Sequence, residues 1–123
     1  MITQKFNPET HFLEAVYSGE ITLKEILEYN NQIRKNPKYP RKLKILTDAT
    51  EAEFLLSKKD LKVISEKVKQ MLNDYETVYD AMIISKPRET AYSILYKERA
   101  KIENYKFQYF STKKAASKWL DAL

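Results

Sequence analysis

The residues with chemical potential are few, and the first constraint on them is an absence. The 123-residue chain contains no cysteine, which removes disulfides, thiolate nucleophiles and cysteine-ligated zinc or iron–sulfur centres. It has one histidine, His11, with no Ser and Asp at a recognisable triad spacing and no second imidazole for a metal. Asp48, Glu51 and Glu53 group after a short apolar run, the type of residue that binds a hard cation or exchanges protons, but their spacing matches no calcium loop. The default for them is an exposed acidic loop. Ser57 stands before Lys58 and Lys59 at a helix start, where a phosphate would meet free N–H groups and the positive end of the helix dipole. N-capping alone explains an unmodified serine there.

Two cationic features suggest anion binding. Ser85-Lys86-Pro87-Arg88-Glu89-Thr90 places Lys86 and Arg88 at a helix start beyond an apolar strand, where open α/β sheets often bind ligands at a reversal of strand order. With a single glycine, Gly19, phosphate loops and dinucleotide fingerprints are excluded, and solvated charges are the simpler account. The second feature is Arg34, Lys35, Lys38, Arg41, Lys42 and Lys44: six bases without an acid between residues 34 and 44. The preceding residues 1–33 carry a balance of −3, so the net charge of +5 is largely this one segment. Such a segment suits an acidic protein, an anionic membrane surface or nucleic acid, yet Tyr39 is its only aromatic, and single-strand binding needs several stacking rings. Tyr92 and Tyr96, one helical turn apart, could line a pocket with Met82 or simply pack with wet tips.

These groups need elements to hold them. Residues 2–6 and 11–18 read as strands around the turn Asn7-Pro8-Glu9-Thr10, with Gly19 ending the second. Thr22-Leu23-Lys24-Glu25 is a capping box opening a helix to about Lys35, with Leu23, Ile26, Leu27, Asn30 and Ile33 inward. Residues 43–49 read as a buried strand ending near Asp48, and a second helix begins at Ser57 with Leu61, Ile64, Val68, Met71, Leu72 and Tyr75 at helical spacing. Tyr79 to Ser85 is the most strand-like run and the expected centre of the sheet. Pro87 starts a third helix with Ala91, Ile94, Leu95 and Ile102 on one side. Lys106 to Phe110 alternates as the last strand, and Ser111 or Thr112 caps a helix with Ala116, Trp119, Leu120 and Leu123 on one face.

The order ββαβαβαβα demands crossovers, hence a mostly parallel five-stranded sheet flanked by helices in one α/β domain spanning residues 1–123. Ser18-Gly19-Glu20-Ile21-Thr22-Leu23-Lys24-Glu25, the run Leu46 to Thr50, and the last strand and helix with Phe110, Ala115, Ala116, Trp119 and Leu120 together resemble the STAS-like (SpoIIAA-like) fold of anti-sigma factor antagonists. That resemblance implies a regulatory binding module. Regulated members carry a phosphorylatable serine in an Asp-Ser-Ser-Gly-like turn. After Asp48 this chain reads Ala49-Thr50-Glu51-Ala52-Glu53 instead, so the switch transfers to no residue, although Thr50 and Ser57 lie in the matching segment.

The expectation is therefore a non-enzymatic module, monomeric or homodimeric, for a protein partner or small anionic ligand, with no cofactor or metal. Asp48, Thr50, Ser57, Lys58, Lys86 and Arg88 are its candidate site. The alternative is a carrier of an apolar ligand or lipid, ahead of an enzyme or a nucleic-acid binder. No run approaches the roughly 20 apolar residues of a membrane span, and residues 1–6 lack the basic start and apolar stretch of a secretory signal, which points to the cytoplasm.

Overall fold

The computed structural model describes all residues, 1–123. Alternation of side chains opens the chain as a hairpin, β1 (Ile2–Phe6) antiparallel to β2 (Phe12–Thr22). The turn between them is tied by the Asn7 side chain, which accepts from the Glu9 and Thr10 amides. His11 belongs to this turn rather than to a strand: it is exposed, with φ 64°. Gly19 does not end β2. It lies within the strand at φ 69°, a left-handed conformation that glycine adopts without steric cost.

Helix α1 (Leu23–Lys35) follows directly, its Glu25 amide donating to the Thr22 hydroxyl at 3.4 Å. The capping box is only half formed, because the Glu25 carboxylate instead meets the N-terminal ammonium at 3.2 Å. Then come β3 (Lys42–Leu55), α2 (Lys58–Met71) with a short 3-10 turn, β4 (Thr77–Ile83), α3 (Pro87–Arg99), β5 (Tyr105–Phe110) and α4 (Lys113–Asp121). Ser57 and Asp60 complete a reciprocal capping box at α2, and Thr112 caps α4.

The strand order is β1-β2-β3-β4-β5, with every pair after the first parallel. β3, not β4, is therefore the central strand. Three crossovers step across the sheet in one direction, and the preference for right-handed connections puts their helices on one face. There α1 packs on α2 and α2 on α3, over a core of 26 buried residues. α4 alone covers the other face, seating Ala116 and Leu120 against Phe12, Leu46, Ala81 and Ile83.

β3 is twice the length the apolar run indicates, since the strand continues through the acidic stretch to Leu55. Leu43, Ile45, Thr47 and Ala49 face the three helices, and after a bulge opposite Val16 and Ser18 the inward set becomes Ala52, Phe54 and Leu56. One extra residue in a strand reverses its parity, which hides the alternation from a sequence reading. β3 pairs with β2 as far as Thr22 and Leu55 but with β4 only to Asp48 and Ile83. Half of β3 thus projects beyond β4 with one backbone edge open.

α3 closes that edge. The buried Glu89 carboxylate accepts from the Phe54 amide at 3.0 Å, and Arg88 donates to the Phe54 carbonyl at 3.1 Å. Tyr92 donates to the Leu56 carbonyl at 2.6 Å, and Lys86 reaches the Ala52 carbonyl at 3.5 Å. This corrects the expected orientation of α3: its buried residues are Glu89, Ser93 and Tyr96, while Ala91, Ile94 and Leu95 face outward. Unpaired backbone at a buried edge is costly, and satisfying it outweighs burying two more apolar side chains.

Candidate functional site

The sheet and the three helices on its larger face do not close completely. Between them lies a cavity of about 70 Å³, room for roughly five water-sized groups. Its floor is built from inward positions of the strands: Tyr17 of β2, Ile45 and Phe54 of β3, Asp80 and Met82 of β4. Tyr105 and Phe107 of β5 complete it, and Tyr29 and Asn30 of α1 with Tyr92, Ser93 and Tyr96 of α3 form the sides. The α2 wall is wholly apolar. Of the 18 lining residues 15 are hydrophobic, so the three polar ones, Asn30, Asp80 and Ser93, decide what the cavity accepts.

Asp80 is the only charged side chain among them. It is half-buried and lines the cavity. Its Oδ2 accepts from the Tyr105 hydroxyl at 2.8 Å, and the Tyr105 and Tyr96 hydroxyls are 3.0 Å apart. Removal from water pushes the Asp80 carboxyl up to about 6, against the opposing effect of the Tyr105 hydrogen bond. Burial likewise raises Tyr17, Tyr29, Tyr96 and Tyr105, with the Asp80 charge adding to each. All four hydroxyls stay protonated at neutral pH.

Two polar atoms here lack partners. The Tyr29 hydroxyl makes no well-formed hydrogen bond, its polar neighbour being the buried Thr47, and Asn30 Nδ2 has none. Asn30 and Met71 also line a cleft between α1 and α2 that carries Arg34 and Lys67. These two side chains border both spaces.

The residues singled out from sequence do not converge. Asp48 is exposed in mid-strand and accepts from the Thr50 amide and hydroxyl at 3.0 and 2.7 Å. Thr50 is in β3, not in a loop, and the five residues from it to Leu55 span about 16 Å of extended chain. Ser57 and Lys58 lie beyond that far end, where Ser57 caps α2. Lys86 and Arg88 are turned onto β3 carbonyls, and a strand order of 1-2-3-4-5 has no reversal to form a crevice beside them. The structure thus does not gather these residues into one crevice, although Lys58 and Arg88 are exposed. Glu51 and Glu53 are exposed along β3, and no three carboxylates or imidazoles are placed to hold a metal.

Several of the six bases have partners. Arg34 pairs with Asp74 at 2.8 Å and Lys42 with Glu76 at 3.7 Å, while Lys44 donates to the Leu123 carbonyl at 3.0 Å. Arg41 is a structural clamp: its guanidinium donates to the Tyr39, Asn36 and Asp74 carbonyls and lies 4.2 Å over the Tyr75 ring. Lys35 and Lys38 have no such partner, and all of the six except the half-buried Lys44 are exposed.

The pocket of Tyr92, Tyr96 and Met82 does exist, but sequence reading missed its key members, Asp80, Tyr29 and Tyr105. A signal was present in Val78, Asp80 and Met82, which share one face of β4. Because Ala81 and Ile83 are buried on the opposite face, no alternation set Asp80 apart.

No family model matches the chain, and no curated protein matches its sequence. Among solved structures it is similar to an uncharacterised protein of the DUF3478 family from Shewanella loihica PV-4, described as having a SpoIIAA-like fold. The two superpose with a TM-score of 0.57 at 18% identity, over 98% of this chain and 92% of that one. No helix is long and apolar enough to cross a membrane. A hairpin, three same-side crossover helices and a closing helix on the opposite face are thus arranged in the SpoIIAA-like fold of the STAS type.

Proposed function

We propose that this protein is a non-enzymatic binding module whose cavity takes a small, predominantly apolar molecule. The observation that carries this reading is the cavity itself, 15 of whose 18 lining residues are hydrophobic and whose polar groups converge from α1, β4 and α3. A few placed polar groups in an apolar chamber are the usual composition of a ligand site. The size suits four or five non-hydrogen atoms, which favours a small molecule over a lipid chain. The non-catalytic part of the reading rests on the likeness to SpoIIAA-like modules; within the cavity, burial keeps the tyrosine hydroxyls neutral, and Asp80 is the carboxyl that burial raises toward neutrality.

A regulatory module also needs an outlet for its ligand state, and α3 offers one. Glu89, Ser93 and Tyr96 look inward, while Ile94 and Leu95 are 47% and 41% exposed on the same helix. A protein partner resting on that outer face is the second reading, and a change in cavity occupancy would reach it through α3.

The test uses the three methionines, Met1, Met71 and Met82. The last two line the cavity and the first is exposed. With methyl-labelled methionine, titration of the full chain with propan-1-ol, propylammonium and propionate should move the Met71 and Met82 signals and leave Met1 in place. Val68→Phe, which fills the space from α2, should abolish the response. If none of the three probes shifts Met71 or Met82 relative to Met1, the cavity is not a ligand site.

A further inference from the structure

We propose that the ligand class is a small organic ammonium ion, a protonated amine on a compact apolar body, with its charge on Asp80 and its body among the tyrosine rings. This rests on the reading of the cavity as a binding site and specifies what that site selects.

Charge is the first argument. Asp80 has no cationic partner: no Lys, Arg or His lines the cavity, and Asp80 forms no ion pair. Its one side-chain hydrogen bond is from Tyr105 to Oδ2, leaving Oδ1 without a side-chain donor. A carboxylate taken from water without a counter-charge is strongly unfavourable, and a cation entering the cavity restores the missing half of the pair. A carboxylate or phosphate ligand would meet repulsion from the same group.

The second argument is the wall. Tyr17, Tyr29, Tyr92, Tyr96 and Tyr105, with Phe54 and Phe107, surround the space, and the negative faces of aromatic rings attract organic cations. The third is the Tyr29 hydroxyl, on a residue only 6% exposed and without a well-formed hydrogen bond. With Thr47 as its one polar neighbour, its oxygen keeps a lone pair to accept an ammonium N–H. The other unpartnered atom, Asn30 Nδ2, is a donor and takes no part in holding an ammonium. Asp80 and Tyr29 are the acceptors for its N–H groups.

The groups facing Asp80 are Tyr17 from β2, Tyr29 from α1, Tyr96 from α3 and Tyr105 from β5, with only apolar residues from α2. None of these tyrosines titrates near neutrality, so the pH response of binding belongs to Asp80, held at about 6. Arg34 and Lys67 stand in the outer cleft, Arg34 already paired with Asp74. Charges at such a rim chiefly affect the rate of association.

The same methionine titration tests the selection. At pH 7.5 propylammonium should bind at least tenfold more tightly than propan-1-ol, and propionate should produce no shift. Asp80→Asn should bring propylammonium down to the level of the alcohol and leave alcohol binding unchanged. Lowering the pH of the wild type from 7.5 to 5.0 should weaken propylammonium about tenfold, as the carboxylate takes its proton, and this arm stands if the variant does not fold. Tyr29→Phe should weaken the ammonium more than the alcohol. Alcohol binding equal to or tighter than ammonium, or ammonium binding that ignores both Asp80→Asn and pH, overturns the proposal while leaving the cavity a ligand site. Silence from all three probes overturns both.

Discussion

At the scale of single residues, Asp80 sets the behaviour of the site and carries an energetic penalty. Its carboxyl is raised from an ordinary value of 3.8 to about 6, so folding takes up a proton between those values. The sign follows: this group favours the folded state most below about pH 4, and that contribution is lost as pH rises through 6. Two pKa units correspond to about 3 kcal/mol at most, less where water in the cavity solvates the carboxylate. Asp80→Asn should therefore be more stable than wild type by about 1–3 kcal/mol at pH 8, with the gap closing toward pH 4. Urea denaturation across that range measures it, and equal stability at pH 8 would mean that Asp80 is well solvated. Tyr29, Tyr105 and Asp80 were each visible as residue types, but no local pattern marks three positions on different elements as neighbours.

The elements tell a more mixed story, clearest at α3. Its sequence offers two stripes, one with Ala91, Ile94 and Leu95 and one with Glu89, Tyr92, Ser93 and Tyr96, and hydrophobicity favours the first. The structure buries the second because the projecting half of β3 presents backbone groups that only polar side chains satisfy. Glu89→Ala should cost about 1–3 kcal/mol by stranding the Phe54 amide, measured by chemical denaturation. Glu89→Gln, which retains an acceptor oxygen, should recover most of that loss. If the two variants lose equal stability, the carboxylate charge rather than the Phe54 hydrogen bond is what holds α3. By contrast, the helix starts at Thr22, Ser57, Pro87 and Thr112 were legible, since capping depends on residues within one turn.

At the scale of the whole molecule, the sheet separates a large core with a cavity from a small core sealed by α4. The two faces respond differently to damage. Leu120→Ala, in the small core, should destabilise by about 2–5 kcal/mol yet leave the Met71 and Met82 signals and their response to propylammonium unchanged in the fraction that remains folded. Altered probe affinity in that variant would show the two faces to be coupled through β4. The sequence by itself determined the order of elements, their caps and most of the apolar positions beneath α2 and α4. Periodicity and capping are local, so a chain carries them openly. Only the tertiary structure decided that β3 is central and twice its apparent length, that Lys86 and Arg88 hold a strand edge, and that Asp80 lies among tyrosines from four elements. Each of those outcomes depends on which strands become neighbours and where their pairing ends, relations between distant segments that no window along the chain contains.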